Sequence, residues 1–470
     1  MDVEEFVRRG VRRGESRDDI IGNLADHIMR MKPVTRDYAE SFANAVFSEV
    51  KNTTGLSGDF FSYEPSGVRM GEFGVGSRGT GDFFAHRQIA RVIGKTSASV
   101  GVDEMDDAGA VRVPGGQFQK GYDGSRQKEG NLNEVRAGDT DHYVVCTVDG
   151  MHSRLSDFPF LAGFHVTRAT LRDVYVMGAY PLMLFSDIHV ADDGDVAKIF
   201  DYTAGITAVG EVMEVPLVTG STLRIGGDMV LGSRMTGCVG AVGIASHLTA
   251  RKETKPGDVI LMTEGAGGGT IATAALYSGY PEVVEATINL NFLISAEALL
   301  RSDALASIHS MTDVTNGGLR GDVYEMAETA GCRIVIEEEA VRSLVRIEVS
   351  DMLETLSIDY LGVSLDALLI AAPRPAVDTI TRIIRDSGVM IHEIGHVEAG
   401  QASAVLEKDG KACDFTPKFR ESAYTPLKKV VDAMPGNFDE MKSKVKASAD
   451  AAIAKKNRVI DRIRPCTKSD

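Results

Sequence analysis

The 470-residue sequence contains no tryptophan and only five cysteines. The cysteines are scattered, and no two of them form a C-x-x-C pair: Cys146, Cys238, Cys332, Cys413 and Cys466. This scatter predicts neither a zinc site nor a disulfide framework. No apolar run approaches the roughly 20 residues of a membrane span, and the charged N-terminus lacks the apolar region of a signal peptide. We therefore predict a cytoplasmic protein that does not associate with membranes.

Positive charge is also in short supply, since the formal net charge is −16. This balance argues against general binding to nucleic acids or to anionic membrane surfaces. The hydrophobic content of 43% is ordinary for a globular protein, and the length predicts two or three domains rather than one core.

The pattern along the chain divides it into four parts. Residues 1–55 show helical periodicity interrupted by Pro33, and residues 56–248 alternate between strand-like and helix-like segments. A second domain of residues 249–400 begins with a polar stretch that leads into a strand, and residues 401–470 form an extension with a lysine-rich helical tail. The polar, glycine-rich residues 114–140 are typical of a long surface loop. A solvated helix face is favoured for the tail, with docking to an acidic partner as the alternative.

Two segments resemble known motifs but lack the sequence context that those motifs require. HEIGH, residues 392–396, matches the zinc-protease pattern H-E-x-x-H, which requires a helix so that both histidines share one face. Its surroundings are β-rich and bounded by glycines, so a strand is the better interpretation. Gly94-Lys95-Thr96 resembles the end of a phosphate-binding P-loop, but the leading glycine would have to be Ile89.

Acidic residues follow three strand-like segments. The adjacent Asp106 and Asp107 precede a strand of small residues, Asp149 follows the apolar strand 143–148, and Asp313 follows a short apolar lead-in. Carboxylates beyond strand ends tend to point into a ligand crevice, and adjacent buried carboxylates favour a bound cation. Each of these residues taken alone is more simply structural. His152 lies just after Asp149 and would suit substrate contact or proton transfer, although an isolated histidine is more often structural.

The segment 311–331, MTDVTNGGLRGDVYEMAETAG, combines a carboxylate with a predicted anion site. Apolar residues recur with helical spacing after Gly317 and Gly318, so these glycines would lie at a helix N-terminus. Backbone N–H groups at such a terminus bind anions. A metal-bridged polyphosphate would explain why Asp313 lies so close, because Mg²⁺ takes carboxylate and phosphate oxygens.

These motifs together resemble the aminoimidazole-ribotide synthetase (PurM-like) superfamily. The segment 160–185 is similar to its G-x9-D-x3-M-G-x2-P helix, and four other segments follow in family order: DDAGAV, CTVDGMH, MTDVTNGGL and VSLDALLIAAP. Selenophosphate synthetase, thiamine-monophosphate kinase and the hydrogenase maturation factor HypE are members of this superfamily. The resemblance covers roughly residues 65–400, and the chain looks most like the synthetase-related, HypE-like branch.

The resemblance implies an α+β, two-domain PurM-like fold with an extra N-terminal helical segment. The N-terminal domains of a homodimer would close a β-barrel, and the C-terminal domain would be an α/β sandwich. It also implies Mg²⁺- and ATP-dependent transfer or hydrolysis of the γ-phosphoryl group, activating a carbonyl, amide or phosphate oxygen. The acceptor, a small molecule or a protein-borne group, is not identified by the sequence.

Site residues follow from the matched motifs. Asp107, Asp149 and Asp313 resemble the Mg²⁺ carboxylates, and Asp149 is also placed with His152 and Arg78 in the catalytic set. The glycine-rich loop 71–82 resembles the segment that closes over the phosphates. The residues expected to bind nucleotide are those of this loop and of the later helix N-terminus: Gly74, Gly76, Arg78, Gly79, Asn316, Gly317 and Gly318.

Departures from the family pattern leave other functions open. The glycine-rich loop has neither the cysteine nor the lysine of selenophosphate synthetase, so that reaction is not expected. Ala169 replaces the family's asparagine on the long helix, and Thr219 replaces the first glycine of a pair. These changes favour a non-catalytic ATP-binding accessory protein as the alternative. A HypE-like maturation factor is a further one, with Cys466 as a displaced carrier thiol.

Overall fold

The computed structural model describes residues 1–54, 64–68, 73, 79–95, 98–113, 142–227, 229–315, 317–421, 423–426, 428–429 and 437–463. The predicted loop 114–140 and most of the glycine-rich loop therefore lie outside the described residues.

The described helices and strands alternate along most of the chain. The α-helices are α1 Val3–Arg12, α2 Arg17–Met31, α3 Arg36–Thr53, α4 Thr80–Ile93, α5 Pro159–Val176, α6 Ala197–Val212, α7 Gly269–Ser278, α8 Val284–Thr287, α9 Asn291–Leu300, α10 Gly318–Ala330, α11 Glu338–Arg342, α12 Ile347–Thr355, α13 Val377–Asp386 and α14 Phe438–Ile463. The strands are β1 Gly109–Val113, β2 His142–Gly150, β3 Tyr180–Val190, β4 Leu217–Arg224, β5 Met235–Ala245, β6 Asp258–Thr263, β7 Ser310–Asp313, β8 Arg333–Glu337, β9 Leu368–Pro373, β10 Ile391–Glu398, β11 Ser403–Lys408 and β12 Lys411–Asp414.

Helices α1–α3 form a small unit with its own apolar core. Asp2, Ser16 and Thr35 each accept a hydrogen bond from a backbone N–H in the first turn of the helix that follows. The buried apolar faces of the three helices pack together with Leu231. The unit is tied to the loop before β5, where the N-terminal amine donates to the Leu231 carbonyl at 2.6 Å.

The first sheet has five strands in the order β1-β2-β5-β3-β4, and all its pairs are antiparallel except β3 with β4. Helices α5 and α6 pack together, and α5 covers one face of this sheet. The register places Val111, Val148 and Leu223 on the other face, where they are 48%, 60% and 56% exposed. That open face is the surface where the barrel of a dimer is predicted.

The second sheet has seven strands in the order β12-β11-β8-β10-β6-β9-β7. Strand β10 contains HEIGH, so the prediction of a strand at this segment is confirmed and the helix required by a zinc protease is not formed. Strand β7 and helix α10 enclose the Asp313 and Gly317-Gly318 segment, which is the strand, turn and helix that the sequence predicts there.

Pro281–Leu300 is, among the described helical segments, the one long and apolar enough to pass a length and hydropathy test for a membrane span. It is divided between α8 and α9 and is half buried inside the protein. Phe292 and Leu299 belong to the hydrophobic core beneath the first sheet. The segment is therefore explained as a core element.

Candidate functional site

Three predicted acidic residues lie at strand boundaries of both sheets. Asp107 is in the turn before β1, Asp149 is the penultimate residue of β2, and Asp313 ends β7. The Asp107 side chain is 2% exposed, and Asp313 is 1% exposed. Buried carboxylates need a compensating cation or hydrogen bonds, so the surroundings of these residues decide their chemistry.

Asp173 on α5 connects the three predicted residues. Thr147 Oγ1 of β2 donates to its Oδ2 at 3.0 Å. Burial raises the pKa of Asp173 well above its ordinary value, and the nearby charges of Asp313, Asp149 and Asp107 raise it further. Thr147 and Asp149 are two residues apart on β2, so their side chains lie on the same face of the sheet as the contact with Asp173. Asp173 is the aspartate of the G-x9-D-x3-M-G-x2-P motif on α5. The motif therefore pointed to this residue, although the predicted site omits it.

Arg251, between the two sheets, is the main counter-ion of Asp107. Its guanidinium donates to Asp107 Oδ1 at 2.5 Å, to Glu325 Oε2 at 2.9 Å and to the Thr312 hydroxyl at 2.7 Å. Its backbone N–H donates to Asp106 Oδ2 at 2.8 Å. The arginine is 1% exposed, and burial opposes its charge, but these carboxylates raise its pKa well above the ordinary value.

Two arginines of α5 hold Asp313 and the second sheet. Arg172 Nε lies 3.0 Å from Asp313 Oδ2, and Arg172 also pairs with Asp366. Arg168 pairs with Asp366 as well and donates to the Gly267 carbonyl at 2.8 Å. Burial, followed by the charge of Arg172, lowers the pKa of Arg168 to about 9. Neither arginine was predicted, because their partners lie more than 90 residues away in the sequence.

The donor set suits Mg²⁺ in kind, since Asp107, Asp149, Asp173 and Asp313 supply hard oxygen ligands. Among the residues that the structure describes, no three His, Cys, Asp or Glu side chains are arranged to hold a metal ion. Asp107 and Asp313 face arginines instead. Ligation by Asp107, Asp149 and Asp313 therefore stays a prediction that requires these side chains to exchange partners.

A cavity of about 300 Å³ opens beside Asp107. Its lining includes Asp106, Thr147 and Glu325, and also His86 of α4. The pKa of Asp106 is raised to about 7, mainly by burial and also by Asp107, although Arg251 opposes the shift. A solvent-connected space at the carboxylates is what a bound phosphate group would need.

The glycines at the start of α10 have backbone conformations that disfavour other residues. Gly317 and Gly318 have φ values of 115° and 66°, in the left-handed region. A Cβ on Gly318 would also lie 2.3 Å from the Leu361 carbonyl oxygen. Gly79 caps α4, where a Cβ would lie 2.4 Å from the Phe419 carbonyl oxygen. Four other predicted residues lie outside the described part of the chain: Gly74, Gly76, Arg78 and Asn316.

His152 lies in a separate environment from the carboxylates. Its Nδ1 is 3.1 Å from the Thr273 hydroxyl of α7, and its Nε2 is 2.8 Å from the Tyr424 hydroxyl. Burial, followed by the charges of Lys428 and Arg154, lowers its pKa to about 4. Both ring nitrogens thus have polar partners in the C-terminal half, and a role in proton transfer stays a prediction.

Comparison with known proteins places these residues in a family context. A family model described as AIR synthase related protein, N-terminal domain, matches residues 130–245, and the corresponding C-terminal domain model matches residues 255–408. Uncharacterized protein MJ1416 of Methanocaldococcus jannaschii is 46% identical over 474 residues, covering 98% of each chain.

More distant similarities extend to proteins with named activities. Carbamoyl dehydratase HypE of Rhodobacter capsulatus is 29% identical over 237 residues, which are 49% of this chain and 65% of HypE. A crystal structure of hydrogenase maturation protein HypE in complex with ATP matches with a TM-score of 0.51 and 19% identity, over 63% of this chain and 89% of HypE. At that identity the structural match shows a shared fold.

Proposed function

Because the chain belongs to the AIR synthase related family, we propose that it is an ATP- and Mg²⁺-dependent enzyme that transfers or hydrolyses the γ-phosphoryl group of ATP. The reaction would activate a carbonyl, amide or phosphate oxygen of a small-molecule or protein-borne acceptor. The observation that carries the proposal is that the buried side chains of Asp107 and Asp313 lie at strand boundaries of the two sheets, with a cavity beside Asp107 and the turn into α10 directly after Asp313.

The described residues would contribute binding and positioning. Asp107, Asp149 and Asp313 would hold Mg²⁺, whose positive charge would offset the charge of the phosphate oxygens. Backbone N–H groups in the first turn of α10, which begins at Gly317 and Gly318, would donate hydrogen bonds to a phosphate. The Gly318 N–H itself donates to the Thr315 carbonyl at 2.8 Å and holds the turn. Arg172 and Arg251 would keep Asp313 and Asp107 in place before the nucleotide arrives. Rate enhancement would then come from orientation and charge stabilisation.

Two narrower alternatives have specific support. The contacts of Asp107 and Asp313 with arginines, together with Ala169 and Thr219, favour an accessory protein that binds ATP without turnover. The likeness to HypE favours a maturation factor with a related activity. Its predicted carrier thiol, Cys466, lies outside the described residues.

The proposal also includes a homodimer formed through the open face of the first sheet. Exposed Val111, Val148 and Leu223 leave apolar area unburied on that face. Contact with a second copy would cover it, as implied by the family resemblance.

Isothermal titration of ATP with Mg²⁺ into the full chain, followed by phosphate release on the same samples, tests the enzyme. We expect Mg²⁺-dependent binding by wild type and loss of that binding in Asp149→Ala. Asp18→Ala is the matched control, because its side chain on α2 is 94% exposed. Slow hydrolysis by wild type would support an enzyme and justify an acceptor screen. Binding without turnover, after acceptors have been tried, would favour the accessory protein, and no binding by folded wild type would refute the site.

A further inference from the structure

Beyond the family models, which end at residue 408, the chain continues into a segment that contacts both halves of the candidate site. We define the strap as the described residues 415–421 and 423–426, which precede α14. Phe415 and Tyr424 are 1% and 2% exposed and belong to the core of the second sheet. The strap is therefore anchored in the protein core by these two side chains.

The strap binds the first turn of α10 through a buried ion pair. Glu421, 2% exposed, accepts from Arg320 Nη1 at 2.9 and 3.1 Å through its two oxygens. It also accepts from the Lys418 backbone N–H at 2.7 Å, which closes a tight turn in the strap. Arg320 donates in addition to Asp359 at 2.6 Å. Arg320 lies two residues after Gly318 in the first turn of α10, so this pair fixes the helix N-terminus at which phosphate binding is proposed.

The same strap binds the start of α4 in the N-terminal half. The Thr80 backbone N–H donates to the Lys418 carbonyl at 3.2 Å. The Phe419 carbonyl approaches Gly79 so closely that no side chain fits there. The Phe73, Phe419 and Phe438 rings form one aromatic cluster, with the last two centroids 4.7 Å apart. These contacts hold the described end of the glycine-rich segment.

A third contact reaches the loop after β2. The Tyr424 hydroxyl lies 2.8 Å from His152 Nε2, three residues beyond Asp149. Helix α14 reinforces the arrangement because Lys456 Nζ donates to the carbonyl of Ile93 at 3.2 Å, at the C-terminal end of α4. An amino group at that position also interacts favourably with the helix dipole.

We propose that the strap is an intramolecular brace for the nucleotide site, in which Glu421 and Tyr424 are positioning residues for α10, α4 and the loop after β2. This inference rests on the proposed function, because the elements it joins are those expected to surround ATP. The strap contacts both flanks of the proposed site, at the first turn of α10 and at the start of α4. Binding coupling is reciprocal, so nucleotide that prefers the braced arrangement must in turn stabilise the strap.

Hydrogen–deuterium exchange on the full chain, with and without saturating Mg²⁺ and a non-hydrolysable ATP analogue, tests this reciprocity. We expect slower exchange in peptides covering 317–322, 79–85 and the strap, and no change in α2, which belongs to the separate core of α1–α3. Protection of 317–322 without protection of the strap would overturn the brace while leaving nucleotide binding intact. Absence of nucleotide binding by titration would refute the proposed function, and the brace with it.

Variants of the strap provide a second test, with Mg²⁺-ATP affinity measured beside the melting temperature. Glu421→Gln removes the charge and nearly keeps the shape, and we expect about tenfold weaker affinity in a folded protein. Glu421→Asp, which keeps the charge, should lose less, and an equal loss would contradict a role for the ion pair. Glu393→Gln is the control, since its ion pair with Arg374 is on the surface. If Glu421→Gln does not fold, Tyr424→Phe provides the test instead. Unchanged affinity of that variant for Mg²⁺-ATP would overturn the brace.

Discussion

At the scale of single residues, Arg251 is the buried cation that neutralises several carboxylates of the site. It pairs with Asp107, Asp322 and Glu325 from two different parts of the chain and is 1% exposed. Taking charges out of water is expensive, and attraction between them offsets that cost only while every partner is present. The effect of this arginine on stability is therefore best measured by removing it, which leaves buried carboxylates without their cation.

Replacing Arg251 with methionine should lower the free energy of unfolding by about 3–5 kcal/mol, because three carboxylates would be left without their cation. Chemical denaturation followed by circular dichroism measures this loss. Arg374→Met is the control, since the exposed Arg374–Glu393 pair should contribute less than about 1 kcal/mol. Equal losses in the two variants would contradict the assigned importance of Arg251.

Asp106 should make stability depend on pH. Its pKa is about 7 in the folded protein against an ordinary 3.8, so between these pH values the folded state holds a proton that the unfolded state has released. The free energy of unfolding must then fall as the pH rises through this window, at up to about 1.4 kcal/mol per pH unit. Denaturation without Mg²⁺ at pH 5 and pH 7 should show a fall about 2 kcal/mol smaller for Asp106→Asn than for wild type. Asp103→Asn is the control for loss of one negative charge. An equal dependence of the free energy of unfolding on pH in Asp106→Asn and in wild type would exclude the raised pKa of Asp106.

At the scale of elements, the N-terminus of α10 depends on its glycines. The chain reverses direction there with positive φ at Gly317 and Gly318, and the carbonyl of Leu361 leaves no space for a side chain at Gly318. Strand β7 ends four residues earlier, so the turn brings Asp313 beside the helix start. Local conformation and site geometry are therefore set by the same residues.

Gly318→Ala should destabilise the protein by at least about 1–2 kcal/mol, because alanine at positive φ is strained and its Cβ would meet Leu361. Gly22→Ala is the matched control, since this glycine lies within α2 and has open space around it. There alanine should stabilise by about 0.5–1 kcal/mol. Thermal unfolding compares the two, and a neutral Gly318→Ala would show that the turn tolerates other conformations.

At the scale of the whole molecule, the two faces of the first sheet differ. One is covered by helices of the same chain, whereas the other exposes apolar side chains on strands β1, β2 and β4. Sheet faces of this composition are usually covered by another surface. In the proposed homodimer, a second copy of the chain would cover this face.

Val148→Glu should convert a dimer into monomers, because a charge on the open face would be buried without a partner. Light scattering after size-exclusion chromatography measures the mass. Ile347→Glu, at an apolar residue that is 71% exposed on the second domain, should leave the assembly unchanged. A wild-type monomer, or a Val148→Glu variant that stays dimeric, would reject this face as the interface.

The sequence by itself determined the local features of this protein. Periodicity and flanking glycines predicted the HEIGH strand and the strand–turn–helix around Asp313, because these depend on residues close together in the chain. The motif order identified the family, and the motifs also contained Asp173 and Asp366, although neither was assigned a role. Composition limited the class of protein but could not indicate what these residues contact.

Only the tertiary structure decided which charges meet. Arg251 reaches Asp107 across 144 residues, Arg172 reaches Asp366 across 194, and Tyr424 reaches His152 across 272. No local pattern encodes such pairs, because an arginine or tyrosine has the same propensities whatever distant group it contacts. The strap is the clearest case, because its residues look like an ordinary polar extension in the sequence. The burial of Glu421 against Arg320 appears only once the strap is packed against the second sheet and α10. The low dielectric of the packed interior, which depends on the whole fold, strengthens these contacts.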